Sequence, residues 1–161
     1  MRTEALFVAM ALLSAAAPVR AGEDEGAGAP LTVLDTDFIV EIADENGDII
    51  RHSSTRVPLV PDASCFRWQI KVAPALRVVP IVELFELPAA PGQWTGVEDM
   101  ADSPTRTSDD GRIATTDIMA PLNKGLIEHG WCIAEGDPPG RYRITVSEGG
   151  RLLHRFQFTV K

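Results

Sequence analysis

The side chains in this sequence that could do chemistry are two cysteines, Cys65 and Cys132, three histidines, His52, His129 and His154, and carboxylates gathered in a few polar stretches. Nucleophilic catalysis needs a Ser or Cys, a base within hydrogen-bond reach and a group that orients the base. None of the histidines lies in a recognisable motif of that kind. His129 precedes Gly130-Trp131 and reads as a strand start, whereas His154 alternates with Phe156 and Phe158 and reads as a strand residue at the rim of a core. No G-x-G-x-x-G or G-x-x-x-x-G-K-[ST] pattern is present to cradle a nucleotide. The expectation is a chain that is not an enzyme, with no catalytic residue, no cofactor and no metal.

Metal binding asks for clustered His, Cys, Asp or Glu at ligand spacing. Asp44-Glu45-Asn46-Gly47-Asp48 gathers oxygens but lacks the loop length and final Glu of a calcium hand, and its Asn-Gly reads first as a hairpin turn. Asp99, Asp102, Asp109 and Asp110 lie between Pro88 and Asp117, where strand and helix periods both lapse. A structureless loop beyond about 12 to 15 residues is functional or disordered, so a ligand or partner contact is expected here, with Trp94, Asp99 and Asp102 as its candidates. The ring of Trp94 either presents itself to a ligand or folds back as an anchor on the core.

The cysteines point to a compartment. Residues 1–21 open with Arg2, continue as an apolar run from Ala5 to Ala17 and end in Val19-Arg20-Ala21, with small residues where a signal peptidase cuts. The run falls short of the roughly 20 apolar residues that span a bilayer, so a signal peptide cut before Gly22 is expected, with no stable membrane anchor. The product would be periplasmic or secreted, an oxidising setting in which one even pair of cysteines implies a disulfide. Alternation puts Cys65 on the face of Arg67 and Gln69, and Cys132 opposite Trp131 and Ile133. If both Trp68 and Trp131 point inward, both sulfurs leave the same sheet, and the bridge joins neighbouring antiparallel strands rather than crossing the core.

The elements that must position these groups are strands. The chain has 161 residues, 24% of them charged, with a formal net charge of -8. Such an acidic balance favours neither nucleic acid nor an anionic lipid surface. Residues 22–30 are acidic and Gly-rich and read as a flexible leader, and residues 31–161 as a single domain. Phe38, Val40 and Ile42 alternate with Asp37 and Glu41; Phe66, Trp68, Ile70 and Val72 alternate with Arg67, Gln69 and Lys71. Pro80, inside the run from Ala75 to Leu87, argues for a sheet edge or bulge there. The last residues read as a hairpin that pairs Tyr142, Ile144 and Val146 with Phe156, Phe158 and Val160 about Gly149-Gly150. About seven to nine such strands separated by turns make an all-β, antiparallel two-sheet sandwich.

Thr116-Asp117-Ile118, Pro121-Leu122, Gly130-Trp131, Pro139-Gly140-Arg141-Tyr142, Leu152-Leu153 and Phe156-Gln157-Phe158-Thr159-Val160, with Cys65-Phe66-Arg67-Trp68 leading the core, resemble a family of exported bacterial immunoglobulin-like sandwich proteins of uncharacterised function. The resemblance implies that fold and export, and brings no activity or site. The functional expectation is a non-enzymatic binding or interaction module of the cell envelope, its partner an envelope protein or a small ligand. The alternatives are a carbohydrate binder using loop aromatics and a hydrolase.

Overall fold

The alternating segments form ten strands in a computed structural model that describes residues 30–74, 78–94, 104–121 and 124–161. The expected signal peptide, nearly all of the leader, and the candidates Asp99 and Asp102 lie outside the described residues. The strands are β1 (Thr32–Ala43), β2 (Ile49–Ser53), β3 (Arg56–Val57), β4 (Ser64–Ala73), β5 (Val78–Glu86), β6 (Thr105–Thr107), β7 (Ile113–Pro121), β8 (Leu126–Cys132), β9 (Gly140–Glu148) and β10 (Arg151–Val160). They make a four-stranded sheet, β2-β1-β4-β8, and a six-stranded sheet, β3-β10-β9-β5-β7-β6. Every pairing is antiparallel except the short β3–β10 contact, which is parallel.

Local chemistry accounts for the hairpins. The Asp44 carboxylate accepts the N–H groups of Asn46 and Asp48 at 2.8 and 2.9 Å, closing the β1–β2 turn around Gly47, whose φ is 84°. Those backbone donors hold the Asp44 carboxyl below its usual range. At the β9–β10 turn Gly149 and Gly150 take φ of 53° and 80°, a left-handed region that costs glycine little. Between the sheets, Phe38, Phe66, Phe85, Phe156 and Phe158 are buried with Trp68 and Tyr142. Ring centroids approach to 4.5 Å for Phe38–Phe158 and 4.7 Å for Phe66–Phe158. Burying each such side chain contributes about 1.5–3 kcal/mol, and this cluster is what sets the two sheets face to face.

Two segments depart from the sequence reading. β5 is an interior strand, flanked by β9 and β7, not an edge. Pro80 is tolerated because β9 pairs with β5 only from Ile81 onward, leaving Pro80 a neighbour on the β7 side alone. The stretch before Asp117 is also more regular than its composition suggests. β6 and β7 pair as a hairpin from Thr105↔Thr116 to Thr107↔Ala114, its turn closed by Gly111 N–H on the Ser108 carbonyl.

Candidate functional site

The most unusual chemistry lies inside the sandwich. Glu83 follows the inward parity of Ile81 and Phe85 on β5 and is completely buried. The β4–β8 register sets Phe66 opposite Trp131 and Trp68 opposite His129, so two indoles and an imidazole face it from the other sheet. Glu83 Oε1 accepts the Trp131 indole N–H at 2.8 Å, and Oε2 accepts that of Trp68. His129 Nδ1 lies 3.1 Å from the same Oε2. One carboxylate thus collects three groups, which satisfies most of its lone pairs and clasps the two sheets together. His129 Nε2 is buried with no hydrogen-bond partner among the described residues. The cluster carries the residue types of an acid–base pair, but its carboxylate is spent on structural donors inside the core.

His129 is therefore not a strand start; it sits within β8 with its side chain turned inward. Glu83 escaped the sequence reading altogether. Its one signal there is an acid at an inward position of an apolar alternation, Ile81, Glu83, Phe85.

On the opposite face of the same two strands, Cys65 and Cys132 stand directly across from each other and are bridged, their Cα atoms 3.8 Å apart. The adjacent Ile133 N–H donates to Ser64 O at 2.8 Å, so the cysteines occupy the non-hydrogen-bonded position, where antiparallel strands come closest. The bridge is the outward, neighbouring-strand one expected from alternation. Gly130, two residues away, is required by the same close approach: a Cβ there would lie 2.8 Å from the Phe66 carbonyl oxygen.

Trp94 folds back. Its indole N–H donates to Gly111 O at 2.8 Å, and its ring meets Trp131 and Phe85 edge-on. The pocket between Trp94, Trp131, Gln93, Asp137 and Tyr142 holds only about 20 Å³, room for about one water. Burial raises the Asp137 carboxyl above its usual range, partly offset by the N–H of Ala134. A second hollow, of about 350 Å³, brings Asp37, Ser53 and His154 to one rim. Ser53 donates to Asp37 at 2.8 Å, but His154 bonds to neither and packs edge-on against Phe156. No nucleophile–base contact forms there. His52 is exposed on β2. Asp110 spends its carboxylate on the Ser108 hydroxyl and the Arg112 N–H, which keep it below the usual range.

The outer face of the four-stranded sheet and the β3–β10–β9 part of the six-stranded sheet's outer face handle charge differently, whereas on β6 and β7 of the latter Arg106 meets Asp117 at 2.6 Å. On the four-stranded sheet Arg51 meets Glu41 at 2.7 Å, Arg67 meets Glu128 at 3.5 Å, and Gln69 donates to Glu128. On the six-stranded sheet Arg56, Thr159 and Arg141 form one cross-strand row. Gln157, Arg143 and Glu86 form the next, and Arg155, Thr145 and Leu84 a third. Arg143 reaches Glu86 at 3.4 Å and Arg155 touches the Thr145 hydroxyl, but Arg56, Arg141 and Arg155 meet no carboxylate among the described residues.

The PM0630 beta sandwich domain model matches residues 36–161. The chain belongs to that family. A search of curated proteins returns no match. Among solved structures, an immunoglobulin-like protein from Pseudomonas aeruginosa is 17% identical, with a TM-score of 0.53, covering 84% of this chain and all of its own. The soluble domain of PmoD from a Methylocystis species is also 17% identical, with a TM-score of 0.41 over 80% of this chain and 96% of its own. At such identities the first likeness shows the fold alone, an immunoglobulin-like sandwich.

Two features of this PM0630 domain can be set beside antibody-type sandwiches. Tyr142, at the start of β9, donates its hydroxyl to the Pro138 carbonyl at 2.7 Å, the arrangement of a tyrosine corner. Burial and the nearby Asp137 charge push its phenol far above the ordinary range. The disulfide differs. In antibody domains it crosses the core between sheets, whereas here it lies within one sheet and the Glu83 clasp makes the inter-sheet link.

Proposed function

We propose that this chain is an exported, non-catalytic binding module of the cell envelope. The observation that carries the reading is where the reactive side chains went. Glu83 and His129, the one carboxylate–histidine pair in contact among the described residues, are consumed by the core, and Ser53, Asp37 and His154 share a rim without the bonds of a relay. What remains available is surface: rigid strands presenting rows of polar and charged side chains. The disulfide supports export, since such bridges persist in oxidising compartments. The carbohydrate reading loses its reporter, because the indole N–H of Trp94 is bonded within the chain and its ring packs on Phe85 and Trp131.

The test is in-cell cross-linking of the exported chain followed by affinity capture. A reproducible envelope partner that persists in a Glu83→Gln variant supports a surface-acting module. Turnover of ester, glycoside or peptide substrates that is lost in His129→Gln would replace the module with an enzyme.

A further inference from the structure

We infer that the outer face of the six-stranded sheet binds an acidic polypeptide segment, laid across β3, β10 and β9 and held through Arg56, Arg141, Arg143 and Arg155. The inference rests on the binding-module reading and names its surface and partner chemistry.

The first argument is charge. A chain of net charge -8 has gathered four guanidiniums on three adjacent strands, and among the described residues one carboxylate meets them, Glu86 on the neighbouring β5. Like charges so placed repel, and three of the four meet no acid among the described residues to offset this. On the opposite outer face the arginines are matched to Glu41 and Glu128. Carboxylates supplied from outside would complete the first face as those two complete the second.

The second argument is geometry. Arg141 and Arg143 are two residues apart on one strand, so their side chains leave the same face about 6.6–6.8 Å apart. An extended peptide repeats its own same-side carboxylates at that interval, and a guanidinium fork matches a carboxylate with two hydrogen bonds. Glu86 already stands as an ion-pair partner to Arg143, at 3.4 Å. Between the arginines stand Thr145, Gln157 and Thr159, whose hydroxyl and amide groups can bond a peptide backbone. Leu84, in the row of Thr145, offers an apolar step for the residues between the acids.

The direct experiment uses end-labelled poly-L-glutamate and the full chain at low salt, read by fluorescence anisotropy. Arg141→Glu should weaken binding about tenfold, while Lys71→Glu, the same charge change on the other outer face, should weaken it less than about twofold. Unchanged near-ultraviolet circular dichroism shows that both variants are folded. An equal effect of the two substitutions would mean that net charge alone is sensed, and it overturns the proposal. So does tighter binding to vesicles of anionic phospholipid or to polygalacturonate, or no binding of poly-L-glutamate. A photo-crosslinking side chain placed at Gln157 or at Gln69 separates this failure from that of the wider reading. An adduct with an acidic segment at Gln157 supports the proposal. A partner caught only at Gln69 overturns this face and leaves the module, and none at either position overturns both.

Discussion

The four-stranded sheet and the β3–β10–β9 part of the six-stranded sheet's outer face treat their polar groups in opposite ways. In the first, indole and imidazole on the inner side close on Glu83, the cysteines close on each other, and Arg51 and Arg67 close on Glu41 and Glu128. In the second, Arg56, Arg141 and Arg155 meet no acid among the described residues. Groups that find partners within the chain contribute to stability. Groups that find none there are free to contribute to recognition. Stability and binding should therefore respond to different substitutions.

The largest effect is expected at the clasp. Glu83→Ala orphans the buried Trp68 indole donor and that of the half-buried Trp131 and should cost about 3–5 kcal/mol or prevent folding, with Glu83→Gln, which keeps an acceptor, costing less. Urea titration followed by Trp fluorescence reads both. A loss below about 1 kcal/mol in Glu83→Ala would falsify the view that this carboxylate joins the sheets. Next in size, Cys65→Ser should lower stability by about 2–4 kcal/mol in oxidised protein only. If the variant and the wild type still differ when both are reduced, the loss does not come from the bridge.

Smaller effects separate the two faces. Arg51→Ala should cost about 0.2–1 kcal/mol and the cost should shrink in high salt, because it removes an ion pair. Arg141→Ala should stay within about 0.5 kcal/mol, because no ion pair is lost. Equal losses, measured by thermal melting at two salt concentrations, would erase the contrast. The smallest effect is a pH dependence at His154. Burial lowers its pKa from the ordinary 6.5, so the folded state binds its proton less readily than the unfolded state. Its contribution is full above that value and is lost as pH falls below it, a loss that His154→Gln should remove from the melting curve.

The alternation in residues 65–72 and 141–160 was enough to assign inner and outer faces, because a strand has a period of two and a misplaced register would expose Phe66, Trp68, Phe156 and Phe158 together. The same parity placed both sulfurs outside one sheet. It also ranked Glu83 with Ile81 and Phe85, yet it gave no reason for a carboxylate to be there. That reason lies on β4 and β8, 15 to 48 residues away along the chain. The short β6 was illegible for a different cause: three residues are too few to show a period, and they are held by pairing with β7.

By itself, then, the sequence determined an acidic, all-β, two-sheet domain, the facing of its strands and the direction of its cysteines, because these follow from backbone periodicity and apolar burial. Only the tertiary structure decided which partners the polar groups would meet. It turned His129 inward to Glu83, folded Trp94 onto Gly111 and Trp131, and brought Arg56 from a two-residue strand into line with Arg141. Strand order sets those neighbours, and contacts between distant segments, rather than any local pattern, set strand order.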